Sequence, residues 1–178
     1  LRSRRALATA LLELIEEKSF DEITIREITS RAKIGYATFF RHFQTKQELL
    51  GAVAYEEITD LLTLTVPIVS EESSRQSCLA LCEYVDRHRA LWQALLTGGA
   101  AGMVRDTFLA QAKRITADTE TPASLPFPLT LSIRYGTAAT IDLLTWWLSE
   151  GRDYSADEMA SFLDTLVIGP LTSHDARK

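Results

Sequence analysis

Residues 23–50, from Ile23 to Leu50, read ITIREITSRAKIGYATFFRHFQTKQELL, and the fold follows from how this stretch is punctuated. Thr24 and Glu27 are spaced as a capping box, in which the threonine hydroxyl accepts the amide of Glu27 and the Glu27 carboxylate returns to the threonine amide. A helix is therefore expected from Ile25. Ile23 and Ile28 stand at the two positions of a hydrophobic staple, which fixes the angle of entry. Ile25, Ile28 and Ala32 give this short helix one apolar face, with Arg26, Thr29 and Arg31 elsewhere on it. Lys33-Ile34-Gly35 then breaks the pattern, and Gly35 stands where the next N-cap is needed, so a second short helix is expected from Tyr36 to about His42.

Two short helices joined by a three-residue turn make a helix-turn-helix, whose second helix enters the DNA major groove by its N-terminal residues. With Phe39 and Phe43 turned inward against Ile28, Ala32 and Ile34, the residues left facing outward are Tyr36, Ala37, Thr38 and Arg41. A second capping box, Thr45 to Glu48, starts a third helix at once. It sets the cation of Lys46 beside helix N-terminal amides, and both suit a phosphate oxygen.

The stretch resembles the DNA-binding head of the TetR family of bacterial transcriptional regulators, through Thr24, Ile25, Ile28, Ala32, Ile34, Thr38, Phe39, His42, Phe43, Lys46 and Leu49. The remaining three-quarters of the chain resembles the family only in its helical layout. The resemblance implies a double-stranded DNA operator as partner, contacted by Thr24, Arg26, Lys33, Gly35, Tyr36, Ala37, Thr38, Phe40, Arg41, His42 and Lys46. It further implies a homodimer, a repressor on a palindromic site, and a small, largely apolar effector in the C-terminal part. Four positions depart from the family pattern: Lys33 replaces the turn glycine, Gly35 the N-cap serine, Ala37 a glycine and Phe40 a tyrosine. A lysine held at positive φ carries roughly 1 kcal/mol of strain while adding a cation near DNA. Phe40 has no hydroxyl to offer a phosphate.

A chain of 178 residues with 46% hydrophobic content can bury roughly 70% of its unfolded surface. Eight Gly and five Pro are too few for a turn-rich β sandwich, and no alternating run has strand length. The expected class is all-α: a three-helix helix-turn-helix head over residues 1–47 and a larger helical bundle over residues 48–178, about nine helices in all. The net charge is −5, yet residues 1–50 hold nine Lys and Arg against seven Asp and Glu, so the head carries +2 and the rest −7. That asymmetry suits a molecule presenting one end to phosphate. No apolar run reaches 18 residues, and the chain opens Leu-Arg-Ser-Arg-Arg without a Met; a cytoplasmic protein off the membrane, with residues upstream of Leu1, is expected.

Leu7, Leu11, Leu14 and Ile15 stripe a first helix over Ser3 to Lys18, from whose start Arg2, Arg4 and Arg5 project as solvated charges or phosphate contacts. The third helix is expected to run to about Leu64, with Pro67 ending it, and Ser70 to Arg75 forms a polar break. Cys78, Leu79, Cys82 and Val85 mark the next helix, its cysteines reading as reduced core thiols rather than a redox pair or metal site. A short helix with Leu91, Trp92, Leu95 and Leu96 should stop at Gly98-Gly99. Another runs from Met103 to about Asp118, followed by a proline-rich loop over residues 119–128. Residues 128–150 form a helix apolar on nearly every side, capped by Gly151. A third capping box, Ser155 to Glu158, opens a last helix that Gly169-Pro170 should end.

A helix apolar all round must be covered all round, so these last two helices are the expected homodimer interface, through Leu144, Leu148, Met159, Phe162, Leu163 and Leu166. Tyr84, Trp92, Met103, Phe108, Tyr135 and Trp147 are the candidate lining of an effector cavity. Control by a protein docked on the acidic body, in place of a small molecule, is the alternative. No nucleophile and base pair, paired catalytic carboxylates, metal-ligand spacing or nucleotide loop is present, so neither an enzyme nor a cofactor or metal is expected.

Overall fold

The computed structural model describes residues 2–71, 74–97, 101–117 and 127–172, with the side chains of all of these except 64–71 and 115–117. Among the described residues the chain is helical throughout, with no strand. The head is α1 (Arg2–Glu17), a single 3-10 turn (Phe20–Glu22), α2 (Ile25–Arg31) and α3 (Tyr36–Phe39). The Thr24 capping box forms in both directions: Glu27 N donates to Thr24 Oγ1 at 3.3 Å, and Thr24 N donates to Glu27 Oε2 at 2.8 Å. Ile23 and Ile28, the staple pair, are 1% and 0% exposed. The second helix of the motif is shorter than its sequence suggests. After Phe39 the ladder tightens to i→i−3 bonds, His42 N to Phe39 O among them, and continues only as turns to Phe43.

α4 (Lys46–Glu71) starts from a modified box. Glu48 N donates to Thr45 Oγ1 at 3.1 Å, but the Glu48 carboxylate takes the Gln44 amide instead of that of Thr45. The helix passes through Pro67 and does not stop there, reaching Glu71. A proline inside a helix removes one ladder bond, and here the α5 and α7 packing that α4 makes outweighs that loss. Of the expected polar break, Ser70 and Glu71 belong to α4 and Ser74 and Arg75 to the next helix, while residues 72–73 lie outside the described residues, as do Gly98-Gly99 and most of the proline-rich loop. α5 (Ser74–Arg87), α6 (Arg89–Thr97) and α7 (Ala101–Ala117) follow, then α8 (Leu129–Ser149). α5 and α7 lie on α4, α8 packs on α6 and α7, and α1 leans on both α4 and α6. Cys78 and Cys82 are free and buried in α5, and burial pushes both thiols up to about 12.

The last helix also departs from expectation. α9 (Ala156–Leu163) begins at an intact Ser155–Glu158 box, then widens into a π-turn (Asp164–Ile168) and resumes as α10 (Gly169–Thr172). Gly169-Pro170 does not end it. Pro170 has no N–H to give the ladder, and the register shifts just before it, with Gly169 N bonding Asp164 O. Gly169 is what allows that approach, since a Cβ there would stand 2.8 Å from the Asp164 carbonyl oxygen. Gly151 likewise serves through the missing side chain: its φ is not positive, its N–H bonds Trp146 O, and a Cβ would meet the Trp146 ring at 2.9 Å.

α8 finds most of its cover within its own chain, from α6, α7 and the π-turn. Leu144, Leu148, Met159 and Leu163 are 0 to 1% exposed, so four of the six expected interface residues belong to the monomer core. Phe162 is half-buried against Tyr154, and Leu166 stays outside at 59% exposure, joined by Leu131 and Tyr135 at 53% and 54%. We expect Gly169→Ala to lower stability by about 1–3 kcal/mol, because backbone must move to admit the methyl. A urea midpoint equal to that of the parent would refute this account of the π-turn.

Candidate nucleic-acid interface

α3 is held from beneath. Phe39 and Phe43, one helical turn apart, are 0% and 3% exposed with ring centroids 6.0 Å apart, in the same core as Leu7, Leu11 and Ile28. Their burial turns Tyr36, Ala37 and Arg41 outward, with Thr38 half-buried beside them. Gly35 caps the helix by backbone alone, Thr38 N donating to its carbonyl at 2.8 Å. Lys33 holds φ 55°, among the described residues the one non-glycine at positive φ. The turn therefore keeps the left-handed geometry a glycine would take more cheaply, while the lysine stays exposed. Tyr36 and Phe40 project 49% and 40% exposed and meet edge to face at 5.3 Å, and the Arg26 guanidinium stands 5.9 Å from the Tyr36 ring centre. Thr24, Arg26, Lys33, Gly35, Tyr36, Ala37, Phe40, Arg41 and His42 are thus all exposed.

Lys46 is the exception. Its ammonium donates to three backbone carbonyls, Phe20 O, Asp21 O and Ile23 O, at 2.8 to 2.9 Å, and lies 4.8 Å from the Phe20 ring centre. A lysine has three donors, so none is left for a phosphate. Lys46 ties the start of α4 to the turn before α2. The reading of Lys46 as a phosphate ligand is corrected accordingly.

Other charges brace the motif in ways local sequence spacing did not disclose. Arg31 makes a two-pronged ion pair with Glu17 at 2.8 and 2.9 Å and reaches Glu13, which fastens α2 to α1. Lys18 bonds Glu27 at 2.6 Å and, with the Thr24 amide and hydroxyl, holds that carboxyl down at about 2. The six remaining head cations, Arg2, Arg4, Arg5, Arg26, Lys33 and Arg41, make no ion pair among the described residues. They are exposed and carry whole charges.

The expected effector lining is only partly brought together. Trp92 is fully buried with Phe108 beside it at 6.4 Å, and the Trp92 Nε1–H has no partner among the described residues. Tyr84 donates to Glu57 of α4 at 2.8 Å, and buried Gln111 donates to Thr59 at 2.7 Å. Trp147 is instead a structural anchor: its Nε1–H is spent on Tyr154 O and its ring is covered by Arg89. Tyr135 faces outward and Met103 is 39% exposed against Gly51 of α4, so these three leave the candidate lining. Lys46→Ala should cost about 1–3 kcal/mol of stability by stranding three carbonyls, and leave the salt slope of binding to random DNA unchanged. A slope reduced by about one would restore Lys46 as a phosphate ligand.

Residues 7–53 match the profile described as bacterial regulatory proteins, tetR family. An HTH-type transcriptional repressor of Mycobacterium tuberculosis is 31% identical over 140 residues, covering 74% of this chain and 69% of that protein. Among solved structures, a TetR-family regulator from Syntrophomonas wolfei superposes with a TM-score of 0.69 at 17% identity, covering 95% of this chain and 96% of that one. FadR of Thermus thermophilus, a repressor solved with lauroyl-CoA, superposes at 0.66 and 17% identity, covering 98% of both. No described helix is long and apolar enough to cross a membrane. Family members are transcriptional regulators, not enzymes. With its helix-turn-helix exposed on a braced head, and with this kinship, the chain belongs to the TetR family and is a DNA-binding transcriptional regulator.

Proposed function

We propose that the protein is a homodimeric repressor that binds a palindromic operator through its head, residues 1–47, and is released by a small, largely apolar effector held in its body, residues 48–178. The observation that carries this reading is the partition of charge about α3: Arg26, Lys33 and Arg41 are exposed and make no ion pair among the described residues, while Lys18, Arg31 and Lys46 are spent on internal bracing. Tyr36, Ala37, Thr38 and Arg41 read base edges. Arg26, Lys33 and His42 meet phosphates, and Thr24, Gly35 and Phe40 lie against the backbone. The repressor reading rests on the mycobacterial relative; DhaS of Lactococcus lactis, an activator by name, is 23% identical over a shorter span.

Dimerisation is assigned to the apolar surface that the monomer leaves open, Leu131 and Tyr135 of α8 with Leu166 of the π-turn. Two heads must then stand about 34 Å apart to occupy successive major grooves. For the effector, Tyr84, Trp92 and Phe108 remain. An indole N–H buried without an acceptor among the described residues disfavours a dry core, and an effector presenting one oxygen to Trp92 and an aromatic or alkyl body to Phe108 would satisfy it.

Thr38→Ala should change which base is preferred at one operator position, by about 1–3 kcal/mol, while binding to random DNA stays the same. Gel shifts on a randomised operator library report this, and equal losses on specific and random DNA would contradict base reading. Leu131→Glu with Tyr135→Glu should give a monomer in sedimentation, with operator affinity reduced at least about tenfold. A variant that stays dimeric would move the interface elsewhere.

A further inference from the structure

A groove of about 810 Å³ runs between the first half of α1 and the start of α4, apart from both the exposed face of α3 and the Trp92 region. Its floor is apolar: Phe43, Leu49, Ala52 and Val53. Its rim carries Arg2, Arg4 and Arg5, opposed by a single acid, Glu56. None of the three guanidiniums has an ion-pair partner among the described residues, and Arg4 lies over the Phe43 ring at 5.4 Å from its centre. Three cations against one carboxylate leave about two charges of positive excess above an apolar floor. A DNA phosphate could take the charge but has no use for the floor, and a neutral apolar molecule could take the floor but not the charge.

We propose that this groove binds a small organic anion with an apolar body, an aromatic or short-chain carboxylate or sulfonate. The anionic group lies among Arg2, Arg4 and Arg5, and the apolar body rests on Phe43, Ala52 and Val53. The volume falls within the usual range of small-molecule sites. The groove is a second site, separate from the effector region of the body, and it does not depend on that region being occupied. Its occupant touches α1, α4 and Phe43 together. Phe43 is in ring contact with Phe39 of the recognition helix, so the bound anion acts on the seating of α3 directly and not through the body.

The test uses the whole chain and the anionic dye anilinonaphthalene sulfonate, with naphthoate as competitor. Wild type should bind the dye with a fluorescence rise that naphthoate reverses. The triple variant Arg2→Ala, Arg4→Ala, Arg5→Ala, checked by circular dichroism to be folded, should bind about tenfold more weakly or worse. Amide shifts on adding naphthoate to the labelled wild type should centre on Thr9 and Ala52, a readout independent of any variant. Dye affinity within about twofold of wild type in the folded triple variant would overturn the proposal. So would the absence of naphthoate competition, or amide shifts confined to α5–α8.

Discussion

A helix of four residues has no stability of its own, since nucleating a turn costs more than one hydrogen bond returns. α3 exists because Phe39 and Phe43 are pulled into the head core, and every side chain it shows to solvent is placed by that burial. The two rings share the core with Leu7 and Leu11 of α1 and with Ile28 of α2, so the third wall of the motif is as necessary as the two helices that name it. Removing the apolar stripe of α1 would leave α2 and α3 with nothing to be angled against.

Charge in the head is sorted by a second constraint. Lys18, Arg31 and Lys46 sit where carboxylates or open carbonyls need a donor, and they fix α2 and α4 against α1 and the 3-10 turn. Exposed ion pairs of this kind contribute little energy, but a forked arginine pair fixes orientation. The cations left over make no ion pair among the described residues. An overall charge of −5 is therefore compatible with a strongly attractive head, because the negative charge is carried by the body and the head's own acids are largely engaged in bracing.

What could be read from residue order alone was what neighbouring residues decide. Thr24 and Glu27, Ser155 and Glu158, and Phe39 and Phe43 are partners three or four positions apart, so spacing disclosed them. Lys46 was misread because its acceptors lie 23 to 26 residues earlier, on a turn whose position depends on α1. Pro67 and Gly169-Pro170 look like helix stops locally, and the packing of α4 and a change to π register overrode them. Leu144, Leu148, Met159 and Leu163 were sent to an interface because an all-round apolar helix does not reveal which of its sides the same chain will cover. That choice is made by α6, α7 and the π-turn, distant in sequence.

α4 joins the two constraints. At its first residue Lys46 is clamped to the turn before α2, and eleven to thirteen residues on, Glu57 and Thr59 are bonded to Tyr84 of α5 and Gln111 of α7. A helix rises 1.5 Å per residue, so these two sets of contacts stand about 16–20 Å apart on one rod. A tilt of about 5° imposed at the body end would displace the Lys46 end by about 1.5 Å, roughly three times the half-ångström distance window of a hydrogen bond. The head need not bend for that to matter, because its clamp makes it follow the rod. Tyr84, half-buried, and Gln111, buried, reach α4 through polar side chains, so the body grips the rod by two side-chain hydrogen bonds as well as by packing. Backbone clamping at one end and side-chain hydrogen bonds at the other make α4 the element through which a displacement of α5 or α7 reaches α2 and α3.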